Sequence, residues 1–118
     1  MPAKSQIHLT DQEKKELEEI TRKILTLGVG ERLKFSLSLI KNKDEALKLS
    51  EQFLFLWRQL LRQKIGVEKD GPAFLKKISL EQIEKAIKNT EQVRKMLVAN
   101  VNFHLALENL FLSYPRLK

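Results

Sequence analysis

A chain of 118 residues fits one domain and is long enough to bury a core without covalent staples. It has no cysteine, which excludes a disulfide framework, a thiolate metal site and a cysteine nucleophile. The 42% hydrophobic and 31% charged fractions exclude a disordered chain, while 22 basic against 15 acidic residues leave a net charge of +7.

Residues 1–9 read as a flexible N-terminus without an apolar signal core. No apolar run approaches the ~18 residues a membrane helix needs, so the expectation is a cytoplasmic protein with no membrane contact. Thr10-Asp11-Gln12-Glu13 is a capping box, in which the Thr10 hydroxyl and the Glu13 carboxylate satisfy each other's helix-start donors. Leu17, Ile20, Ile24 and Leu27 follow as one apolar stripe, and Gly28 is expected to stop this helix in a left-handed turn. A second helix is predicted from Glu31 to Ile40, with Leu33, Leu37 and Ile40 facing inward and Phe35 and Leu39 widening the apolar arc.

Asn42, with Glu45 three residues on, starts a third helix that runs to about Lys64 and ends at Gly66. Phe53-Leu54-Phe55-Leu56-Trp57 places five apolar residues in succession, more than one side of a helix can hide. Glu51, Phe55, Arg58 and Arg62 share a face, so Phe55 stands among polar neighbours and calls for a cover or an interface. Val67 to Lys77 reads as a loop, with a turn at Asp70-Gly71-Pro72 and one helical turn over Ala73 to Lys76. Ser79 to Gln82 forms a second capping box, and the fourth helix continues through Ile83, Ala86, Ile87, Thr90, Val93, Arg94 and Leu97. The last helix, Asn100 to Tyr114, is apolar almost all round, so it is expected to be buried on most sides by its own domain or by a neighbour. Asn100 and Asn102 are its predicted caps. The fold class read from this pattern is all-α, a compact bundle or array of about five helices spanning 1–118.

Catalytic chemistry finds no foothold. No serine sits in a Gly-flanked strained turn, and the carboxylates of the first helix interleave with Lys15, Arg22 and Lys23 as ordinary surface pairs. His104 and Glu108 stand four apart, but two ligands do not make a zinc site, so no metal and no cofactor are expected. Gly28-Val29-Gly30 lacks the lysine and hydroxyl of a phosphate loop. Arg58, Arg62, Lys64, Lys76, Lys77, Lys85, Lys88, Arg94 and Lys95 offer a basic face for weak DNA contact, although Glu81, Glu84 and Glu91 interrupt it and no aromatic platform accompanies it. Trp57 and the Phe53–Phe55 run read as core, with a ligand pocket or an interface as the functional alternatives.

The string N-V-N-F-x-L-A-L-E-N-L-F-L, from Asn100 to Leu112, resembles the closing helix of the collar domain in bacterial DNA polymerase III clamp-loader subunits, of the delta-prime or gamma/tau type. Asn100, Val101, Asn102, Leu105, Ala106, Leu107, Glu108 and Leu110 match that pattern. Gly30 to Gly66, with its Trp57-Arg58 step, is similar to the earlier collar helices, so the likeness spans roughly Ile20 to Tyr114. It implies a non-catalytic oligomerisation module that helps assemble the clamp loader for DNA replication, in a complex that as a whole is an ATPase. Family members carry an ATPase-type module and a lid before the collar, and no phosphate loop lies in this chain, so nucleotide binding is not carried over and the chain reads as an excised collar or a shortened relative. The partners implied are other clamp-loader subunits or a second copy. The interface candidates are Phe55, Trp57, Arg58, Arg62, Phe103, Phe111 and Tyr114, with Thr10, Ser79, Asn100 and Asn102 as structural caps. A small basic nucleic-acid-binding domain is the alternative reading.

Overall fold

The computed structural model describes residues 9–67, 71–99 and 102–117. These contain five α-helices, α1 (Asp11–Thr26), α2 (Val29–Leu39), α3 (Lys43–Lys64), α4 (Leu80–Val98) and α5 (Phe103–Ser113), with a 3-10 turn over Ala73–Lys77 and no strand among the described residues. The chain is therefore an all-α array of the predicted size.

Local signals set the helix starts. Thr10 and Glu13 bond reciprocally at 3.0 Å, and Ser79 and Gln82 repeat the arrangement at the head of α4. Asn42 accepts the Glu45 N–H at 2.9 Å, and Asn102 accepts those of His104 and Leu105. At the end of α3, Gly66 takes φ +90°, the Val67 N–H reaches back to the Arg62 carbonyl and the Gly66 N–H to that of Gln63, a Schellman closure that requires a left-handed residue. Asn100, Asp70 and the N-terminus up to His8, about which the sequence raised expectations, lie outside the described residues. Leu9 is half-buried and packs on the core.

α3 is the central rod and packs against α1, α4, α5 and the 3-10 turn, while α2 lies along α5. The middle of α3 is covered on more than one side. Phe53, Leu56, Trp57 and Leu60 are all fully buried, and Phe53 and Trp57 meet the Tyr114 ring at 5.5 and 5.2 Å between centroids. Phe111 meets Phe53 edge-on at 6.0 Å and Phe35 at 6.2 Å. Thr90 already donates to the Ala86 carbonyl, so the Tyr114 hydroxyl must donate to Thr90 Oγ1, 2.7 Å away.

Three sequence expectations are corrected. Gly28 is not a left-handed stop: α1 ends at an extended Leu27, and Gly28, at φ −78°, caps the start of α2. The inward face of α2 is not Leu33, Leu37 and Ile40 as a set, because Arg32 and Ser36 are buried while Leu37 is 52% exposed. Trp57, Phe111 and Tyr114 are not surface anchors, since the chain's own helices enclose them. The five-residue apolar run of α3 is wrapped by its neighbours, and Tyr114 plugs the space between α3 and α4.

Candidate interaction surface

The surface is built on a buried arginine. The first turn of α2 places Arg32 against the end of α5, where the last carbonyls of a helix have no partner within it. Its guanidinium donates to the carbonyls of Phe111 (2.8 Å), Tyr114 (2.7 Å) and Pro115 (2.9 Å), and through Nε to Leu27 (3.0 Å). The planar fork reaches several acceptors at once, which an ammonium cannot do. Burial, and then the nearby Arg116, push the pKa of Arg32 below its ordinary value. The Leu117 N–H bonds the Leu25 carbonyl at 2.7 Å and fastens the tail to the α1–α2 corner.

This clamp ties the start of α2 to the end of α5. Phe35, on one flank of α2, lies against Phe111 and under the Lys23 ammonium of α1, 4.7 Å from the ring centre. The opposite flank carries Val29, Leu33 and Leu37 at four-residue spacing, which sets them in one row on a helix. On α5, Ala106, Leu107, Leu110 and Phe111 point into the core, and Leu105 and Leu112, two turns apart, point away from it. Val29 and Leu37 on α2 and Leu105 and Leu112 on α5 are thus the exposed aliphatic side chains of this helix pair. Val29 is 65% exposed, Leu37 and Leu105 52% each, and Leu112 39%.

The sequence candidates distribute unevenly around this surface. Phe103 is half-buried on the core and Phe55 is half-buried on α3. Arg58 is exposed and pairs with Glu91 at 2.8 Å, while Arg94 pairs with Glu51 at 3.4 Å, so these two cations join α3 to α4. Lys64 donates to the Leu75 carbonyl. Three members of the proposed basic face are thus engaged within the chain, and Lys76, Lys77, Lys85, Lys88 and Lys95 remain exposed. Arg62 is half-buried. No group of three or more metal-ligating side chains occurs among the described residues, and no described helix is long and apolar enough to cross a membrane. No ion pair joins Glu108 to a described residue. Sequence reasoning missed Val29 and Arg32 and placed Leu37 inside. The usable signal was the four-residue row Val29, Leu33, Leu37, which competed with Phe35 and Leu39 for the inward side.

No family model, no curated protein and no solved structure matches this chain.

Proposed function

We propose that this chain is a non-catalytic helical assembly module that works by burying the outer face of the α2–α5 pair against another protein. The observation that carries the reading is the exposure of Val29, Leu37, Leu105 and Leu112 on two helices, α2 and α5, that pack on one another. Exposed aliphatic side chains concentrated on one helix pair favour an interaction surface, because leaving them in water costs free energy that a partner recovers. The more specific form of the proposal is a collar module of a DNA polymerase III clamp-loader subunit, acting in the cytoplasm in DNA replication. It rests on the sequence likeness of Asn100 to Leu112 and of the Trp57-Arg58 step. The partner is then a neighbouring clamp-loader subunit rather than a second copy, since two chains of net charge +7 repel each other.

The test is size-exclusion chromatography with light scattering on the chain mixed with the ATPase-type clamp-loader subunits of the same genome. The wild type is expected to co-migrate with them, and a Leu37→Glu/Leu105→Glu variant to elute alone while keeping its helical spectrum. Elution of the wild type as a 13.8 kDa monomer at ~100 μM of every partner would remove the reading, because specific contacts of micromolar strength are populated there.

A further inference from the structure

A groove of about 310 Å³ opens between α1 and the α2–α3 corner, and none of Val29, Leu37, Leu105 and Leu112 lines it. Its floor includes Leu17, Ile20, Leu39 and Ile40. Its rim carries the carboxylates of Glu13, Glu16 and Glu45 and the ammonium of Lys48. Three negative charges against one positive make a locally acidic edge on a chain whose net charge is +7. One oxygen of each carboxylate is anchored inside the chain: Glu13 accepts the Thr10 N–H, Glu16 accepts from the Gln12 amide and Glu45 accepts the Lys41 N–H. The rim is therefore held in place. Bonding from Thr10, with a smaller contribution from Lys48, lowers the pKa of Glu13, which keeps it charged.

Glu13, Glu16, Leu17 and Ile20 lie at i, i+3, i+4 and i+7, so α1 presents two turns of one face to the groove, about 10 Å of length. An opening of that length, with an aliphatic floor and a charged edge, matches the way one helix is read by another through anchors at the same spacing. We propose that this groove docks a basic amphipathic helix from another protein, which seats aliphatic side chains on Leu17, Ile20 and Leu39 and sets Lys or Arg against Glu13, Glu16 and Glu45. Charge complementarity selects the occupant: an acidic helix would meet three carboxylates, and a second copy brings its own net positive charge but also its own acidic rim. The chain's first eight residues, which include Lys4 and Ile7, are the competing occupant.

The probe is a fluorescein-labelled peptide with Leu at helical i, i+3, i+4, i+7 spacing and Lys elsewhere, beside a control in which Glu replaces Lys. Anisotropy titration of the full chain is expected to show saturable binding of the Lys peptide and none of the control. A Glu13→Gln/Glu16→Gln/Glu45→Gln variant keeps every acceptor, and Gln serves a capping box as Glu does, so its fold is preserved; its affinity is expected to fall about tenfold. Glu16→Lys, at an exposed position, is expected to lose at least as much. Amide shifts in a 15N-labelled sample should map to 13–20 and 39–52. Equal binding of both peptides, an unchanged affinity in the Gln variant, or shifts on the outer face of α2 and α5 would each overturn the proposal. So would binding that appears only after residues 1–8 are deleted, which would assign the groove to the chain's own N-terminus.

Discussion

One side of α5 presents Leu107, Leu110 and Phe111 to the core, and these side chains have no exposed surface; the other side presents Leu105 and Leu112 to solvent. The residue types are alike, and the difference lies in what stands opposite. Phe111 meets Phe53 and Phe35, and Tyr114 beyond it meets Trp57, whereas Leu105 and Leu112 face water. Apolar character is thus a poor guide to role in this chain. Burial of each Leu or Phe on the inner side contributes about 1.5–3 kcal/mol to folding. The outer leucines contribute little to folding.

The inner side breaks most severely at its centre. Trp57→Ala is expected to cost about 3–5 kcal/mol, read from urea unfolding followed by circular dichroism, because the side chain is fully buried and its neighbours cannot close the cavity. Arg32→Met is expected to cost about 3 kcal/mol, since it strands the carbonyls of Phe111, Tyr114 and Pro115 without donors. Arg32→Lys should recover only part of that, as one ammonium cannot serve all of them. A loss below about 0.5 kcal/mol in Arg32→Met would show that water replaces the guanidinium and that the clamp does not hold α2 to α5.

Tyr114 sharpens the comparison through pH. Burial raises its pKa. The fold therefore holds the neutral phenol more firmly than the unfolded chain does. The stability this supplies is fully present below the ordinary tyrosine pKa of 10.0 and is lost as pH rises above it. Tyr114 is the only tyrosine and Trp57 the only tryptophan, so phenolate absorbance and indole fluorescence each report one residue. Phenolate is expected to appear only together with the fluorescence change of unfolding. Tyr114→Phe should cost about 1 kcal/mol and remove the alkaline sensitivity. Ionisation of Tyr114 near pH 10 in a chain whose Trp57 emission stays native would show the inner side to be open to water. The smallest effect belongs to the outer side: Leu37→Glu and Leu105→Glu should each change folding stability by no more than about 0.5 kcal/mol, while removing association.

Much of the fold was legible. The reciprocal caps at Thr10 and Ser79, the amide caps at Asn42 and Asn102 and the left-handed Gly66 each depend on residues within a few positions, and each stands where the sequence placed it. Gly28 was misread because a glycine between two helices suits either the end of one or the start of the next. The surface was less legible. On α2, two apolar rows flank a polar one, and periodicity favours hiding the apolar rows. The fold hides Arg32 and Ser36 instead and leaves Leu37 in water. On α3, the burial of Trp57 depends on Tyr114, which no local pattern could bring to it.

By itself the sequence determined an all-helical chain, the starts of its helices and the absence of thiol chemistry, because propensity, capping and composition act over single residues or single turns. Only the tertiary structure decided which face of α2 turns inward and which leucines of α5 stay wet. The carbonyls that hold the Arg32 side chain lie up to 83 residues further along the chain, and only folding brings them within its reach.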